Sequence, residues 1–222
     1  MNRQEIRGRI EEIGVIPALR VRSAEDALFA ADAVSSGGIP MVEVTMTVPG
    51  ALDVIRHVVQ HFSDMIVGAG TVLDLGWARR CLDAGAHFLT SPGFDPEIVA
   101  FANHENVVSM PGALTPTEVI NCAKAGADFI KVYPVGQISG PKYIRALKLP
   151  FPDLRFVAAG GVTQVTASEY IWAGASALGI GADLIHQDAI RRRERGWIVE
   201  LARRYSTMVK QAREEIKEAV AT

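Results

Sequence analysis

Short apolar runs rich in β-branched residues alternate with stretches of helical period along most of this chain. The runs are VIPALR (15–20), MVEVT (41–45), MIVGAG (65–70), HFLTS (87–91), VVSMP (107–111), FIKVYP (129–134), RFVAAG (155–160) and ALGIG (177–181). Their length and their Val, Ile and Phe content predict buried strands. The intervening stretches carry helix-start signals. Ser23 precedes AEDALFAADAV with Asp26 three residues on, a capping-box spacing. Thr115 and Pro116 open a second helix with Glu118 at the same offset, and Pro96 opens a third, in the first turn where proline is favoured.

One corner recurs. DAGAHF (83–88), KAGADF (124–129) and WAGASAL (172–178) each close a helix with glycine and enter a strand, and SSGGIPMVE (35–43) is a looser copy. Glycine after a last helical turn takes the left-handed conformation that other residues resist. Eight strands alternating with helices, without long linkers, predict one α/β domain over residues 1–222, a (β/α)8 TIM barrel. A short helix over residues 2–12 is expected to cover the bottom of the barrel with its apolar side. An open doubly wound sheet is the competing architecture, but VIPALRVRS has no glycine-rich fingerprint after the first strand.

Composition narrows the function. Hydrophobic residues make up 49% of the chain, enough for a large core, which excludes a disordered chain. A net charge of −2 gives no general attraction to nucleic acid or to an anionic membrane. No run approaches the roughly 18 apolar residues of a membrane span, and the N-terminus lacks the apolar core of a secretion signal. Cys81 and Cys122 fit no metal or disulfide spacing and read as small buried hydrophobes, in keeping with a cytoplasmic protein. His57 and His61 share a helix face but lack the glutamate of a zinc-binding HExxH, so no metal is expected. The basic run RRRERGW (191–197) reads as a solvated first turn of the last helix, with Trp197 tucked beneath it.

Barrel chemistry sits at the C-terminal ends of the strands. There the chain places Arg20, Glu43, Thr45, Thr47, Thr71, Ser91 to Gly93, Lys131, Tyr133, the glycines of AGG (159–161) and those of GIGAD (179–183). Lys131 is the one lysine of six that lies within a strand. An amine inside a low-dielectric barrel loses proton affinity and becomes a nucleophile whose natural electrophile is a carbonyl. Glu43 lies between two valines, where a carboxylate needs a partner. It can shuttle protons for Schiff-base chemistry, or it can be one half of a buried ion pair with Lys131. The glycine turns at Gly160, Gly161 and Gly181 can bring backbone N–H groups to an anion, backed by a helix N-terminus near Thr163, although barrel corners need glycine too.

In order, GIPMVEVTMTVPGAL, VGAGTVLD, FLTSPGF, MPGALTPTEV, FIKVYPV, GPKYIRALKLPFPDLRFVAAGGV and ALGIGADL resemble the 2-keto-3-deoxy-6-phosphogluconate (KDPG) aldolase / 4-hydroxy-2-oxoglutarate (KHG) aldolase family over about residues 13 to 186. The resemblance implies a class I lyase of carbohydrate metabolism, without metal or cofactor, that releases pyruvate from a small keto acid. It also implies a TIM barrel, commonly a homotrimer. The Schiff-base lysine matches Lys131 and the proton-transferring glutamate Glu43. The pyruvate pocket matches Arg20, Thr71 and the Pro92 segment, with Thr47 where arginine is common. Tyr133 stands where phenylalanine is commoner. The phosphate end matches Gly160, Gly161, Gly181 and Ala182. Ala159 and Ala182 replace the usual threonine and serine, and each lost charge-assisted hydrogen bond weakens phosphate binding by about 1.5–3 kcal/mol. The same pyruvate chemistry on a phosphogalactonate analogue or an unphosphorylated keto acid is the nearest alternative. A catalytically silent barrel that binds a small anion is the alternative from another class.

Overall fold

The computed structural model describes residues 1–221; Thr222, the last residue of the expected domain, lies outside them. Nine parallel strand segments form the sheet: β1 (Val15–Leu19), β2 (Met41–Thr45), β3 (Ile66–Gly70), β4 (Phe88–Thr90), β5 (Val108–Met110), β6 (Gly112–Ala113), β7 (Ile130–Val132), β8 (Phe156–Ala159) and β9 (Ala175–Ile180). Their order is β5-β4-β3-β2-β1-β9-β8-β7-β6, so the two edge segments are consecutive in the chain. The fifth strand expected over 107–111 is therefore present as β5, and β6 is an additional segment beyond it. Pro111 has no N–H to give to a ladder, and proline in a central strand breaks it. The Pro111 carbonyl still accepts a bond from the Lys131 N–H at 2.9 Å, which carries the barrel across the break. The sixth expected strand is also shorter than its apolar run. It ends at Val132, and a 3-10 turn follows at Val135–Gln137.

Among the described residues, ten helices lie before, between and after the strands. The first, α1 (Arg3–Ile13), starts with Asn2 and Glu5 in a reciprocal capping box. Its buried Ile6 and Ile10 sit one turn apart and pack toward β1, β5 and β9. Arg3 pins it to the Asp128 carboxylate at 2.8 Å. The expected start signals at Ser23, Pro96 and Thr115 open α2 (Ala24–Ser36), α5 (Pro96–His104) and α6 (Pro116–Lys124), and Asp95 caps α5. The recurring corner is real: Gly85, Gly126 and Gly174 all have left-handed backbones, with φ of +97°, +82° and +100°.

Two expectations about the C-terminal third need correction. The basic run 191–197 straddles the end of α9 (Gln187–Arg191) and the start of α10 (Arg195–Ala221) instead of opening one helix. Trp197 is 40% exposed and stacks on His186, so it is not tucked away. The arginines are neutralised locally: Arg191 pairs with Asp188, Arg192 with Glu194, Arg193 with Glu25 and Asp26, and Arg195 with Asp32. The long α10 packs on α2 and on α8 (Ala167–Trp172).

Candidate active site

Side chains alternate across a strand, so Glu43 and Thr45 on β2, Gly68 and Gly70 on β3, and Phe88 and Thr90 on β4 share the inward face. Register sets them at matched heights, with Glu43 opposite Gly68 and Gly68 opposite Phe88. The two glycines make room. A Cβ on Gly68 would lie 2.0 Å from the Phe88 ring, and one on Gly70 would lie 2.1 Å from Glu43 Oε1. The lower barrel is thus filled by an aromatic ring, and the level above it by a carboxylate.

Lys131 enters this upper level from β7. Its Nζ lies 3.4 Å from Glu43 Oε1 and 3.3 Å from Thr90 Oγ1. The lysine side chain is 13% exposed and that of the glutamate 5%. Two opposite charges that far out of water are tolerable only because they meet. The amine is nevertheless reachable. With Arg20, Glu43, Tyr133, Gly160, Gly161, Gly181 and Ala182 it lines a cavity of about 490 Å³ at the C-terminal ends of the strands. The Tyr133 ring flanks it, 5.8 Å from Nζ to the ring centroid.

Thr47, Thr71 and Pro92, expected in the same pocket, do not line this cavity. Thr47 is exposed and shares a 2.7 Å hydrogen bond with Thr45, whose hydroxyl also donates to the Leu19 carbonyl. Thr71 follows Gly70 directly and has φ +57°. A β-branched residue in that region is strained by on the order of 1–3 kcal/mol, a cost concentrated at functional sites. Its neighbour Val72 donates to the Thr90 carbonyl at 3.2 Å, which ties this turn to the hydroxyl beside Lys131. The Pro92 backbone packs against the strand segment beside Lys131: a Cβ on Gly112, the register partner of Lys131, would lie 2.1 Å from the Pro92 carbonyl oxygen.

The glycines of the far end also have a packing reason. Gly160 and Gly161 have φ of +80° and +96°, and a Cβ on either would lie 2.9 Å from the backbone of Pro134 or Gly136. The helix expected near Thr163 begins later, at Ala167. Thr163 instead opens a turn, its carbonyl accepting from the N–H groups of Thr166 and Ala167.

Sequence reasoning missed Thr90 and the space-making role of Gly70. Both had a signal, the former as a hydroxyl two residues after Phe88 on one strand face, the latter as glycine at a strand end. It also passed over Asp183 and Gln187, which line the cavity. Cys81 and Cys122 lie outside it. Both are free and buried, and burial pushes both thiols up to about 12, so they are inert. Among the described residues no group of three or more His, Cys, Asp or Glu side chains is placed to hold a metal ion.

The profile of the KDPG and KHG aldolase family matches residues 6–201. The 2-dehydro-3-deoxy-phosphogluconate aldolase of Treponema pallidum is 35% identical over 162 residues, 73% of this chain and 77% of that protein. The KHG/KDPG aldolase of Escherichia coli K12 is 32% identical over 190 residues, 85% of this chain and 89% of its own. Among solved structures, KDPG aldolase from Legionella pneumophila, with pyruvate captured at low pH as a covalent carbinolamine intermediate, superposes with a TM-score of 0.83 at 28% identity. It covers 89% of this chain and 96% of that one.

Proposed function

This chain belongs to the KDPG and KHG aldolase family, and from that premise we propose that Lys131 and Glu43 perform its class I chemistry. The protein is an aldehyde-lyase acting on a small keto acid. The substrate proposed is 2-keto-3-deoxy-6-phosphogluconate, cleaved to pyruvate and glyceraldehyde 3-phosphate, with 4-hydroxy-2-oxoglutarate, cleaved to pyruvate and glyoxylate, as the second. The observation that carries the reading is the Lys131 amine at the edge of a cavity, 3.4 Å from a carboxylate that is otherwise buried.

The reaction follows from that placement. Lys131 passes a proton to Glu43, its nitrogen attacks the C2 carbonyl to give a carbinolamine, and Glu43 returns that proton to the departing hydroxyl, so that water leaves and an iminium remains. The iminium is an electron sink, so the C3–C4 bond can break toward it. Glu43, through a water, takes the proton from the C4 hydroxyl, and the C4 carbonyl leaves as the aldehyde. The electron pair left at C3 forms an enamine. Protonation of C3 and hydrolysis of the resulting iminium release pyruvate and restore the amine. Thr90 Oγ1 is within reach of the same nitrogen and can orient it. Arg20 at the mouth supplies a cation for the substrate carboxylate, and Tyr133 walls the pocket.

The free, buried thiols fit a reducing compartment, so we place the enzyme in the cytoplasm, and the family resemblance favours a homotrimer. The test is direct. Purified protein with EDTA present should release pyruvate from either keto acid, more from the better substrate. Absence of pyruvate from both would overturn the reading.

A further inference from the structure

The far end of the cavity is built by two loops, residues 160–166 after β8 and residues 181–186 after β9. One side chain joins them. Asp183, which lines the cavity, accepts through Oδ2 a 3.3 Å bond from the Gln164 N–H of the other loop. The same oxygen accepts a short hydrogen bond from the Tyr205 hydroxyl. Tyr205 is fully buried on α10, beyond residue 201 where the family match ends. Burial raises its phenol well above the usual range, so the hydroxyl stays a donor. Within the first loop, the Thr166 hydroxyl accepts from the Thr163 N–H at 3.1 Å. Within the second, Leu184 and Ile185 donate to the Gly181 carbonyl at 3.0 and 2.8 Å. Each loop is thus internally set, and Asp183 fixes one relative to the other.

We propose that Asp183, held by Tyr205 of the C-terminal helix, is a positioning residue that sets the aldehyde-side half of the pocket. Lys131 and Glu43 sit on β7 and β2 and do not depend on this clamp. The clamp should therefore govern how well the distal end of the substrate is held, and leave the pyruvate half of the chemistry intact. This rests on the aldolase reading above.

The test separates the two halves. Formation of the borohydride-trapped adduct with pyruvate reads only the Lys131 side; KM for 2-keto-3-deoxy-6-phosphogluconate reads both. Tyr205→Phe should raise that KM about tenfold or more, with kcat little changed and pyruvate trapping as in the wild type. Asp183→Ala should match it. Asp183→Asn, which keeps an acceptor oxygen for both donors, should restore KM to near the wild-type value. An unchanged KM in Tyr205→Phe, or a loss of trapping in step with the rise in KM, would overturn the clamp. Failure of the wild type to trap pyruvate would instead remove the aldolase reading itself.

Discussion

Glu43 keeps its position because Gly70 has no side chain, and that makes the two residues a linked test. Glu43→Gln should slow turnover by roughly 10²–10⁴, the usual scale of general acid–base catalysis, while slow adduct formation with pyruvate persists. Gly70→Ala leaves the carboxylate in the chain but puts a methyl where Oε1 now lies, 2.1 Å away. Its kcat should fall in the same direction as that of Glu43→Gln, with the melting temperature reporting any general loss of packing. Wild-type kcat in Gly70→Ala would show that Glu43 is not needed where the structure puts it. At this scale the sequence spoke clearly for Lys131 and Glu43, because a charge flanked by β-branched residues contradicts its surroundings. Its signal for Thr90 was weak, because a threonine in a strand contradicts nothing.

Strands and loops carry the next level. His87 precedes β4, and its Nδ1 accepts the Val67 N–H of β3 at 3.0 Å, a ring nitrogen standing in for a ladder carbonyl. Burial, with a smaller push from the charged N-terminus, lowers this imidazole below its usual 6.5. The unfolded chain therefore binds the proton more readily. The stability this contributes is complete above about pH 6.5 and is lost as pH falls below it toward the folded value. His87→Gln keeps an acceptor but cannot titrate, so its melting temperature should fall less than that of the wild type between about pH 7 and 5. Identical slopes would contradict this. At the far end of the pocket, Ala182→Ser with Ala159→Thr should raise kcat/KM about tenfold or more for a phosphorylated keto acid and not for a plain one. An unchanged ratio would mean that the phosphate is not held there. Element boundaries were less legible than element order. The break at Pro111 was written in VVSMP, but the apolar run masked it. The late start of α8 had no signal, since Thr163 and Thr166 both look like caps.

For the whole molecule, the alternation of runs and the repeated glycine corner were enough to read a barrel, since each local choice agrees with the same nearly closed sheet. How α10 folds back to put Tyr205 against Asp183 was not legible, because a contact across 22 residues and two elements leaves no periodic trace. Assembly is a property of the surface. Leu149, Val165 and Trp172 are exposed at 81%, 85% and 47%, apolar area compatible with partner chains. Light scattering at micromolar concentration should give three times the 23.9 kDa chain mass, and a mass near one chain would contradict the trimer. The central claim concerns one nitrogen. Incubating the protein with pyruvate, reducing with borohydride and mapping the peptides by mass spectrometry should place a reduced pyruvate adduct on the peptide that contains Lys131, and Lys131→Ala should show neither adduct nor turnover. An adduct on a peptide lacking residue 131, or undiminished trapping in Lys131→Ala, would contradict the account.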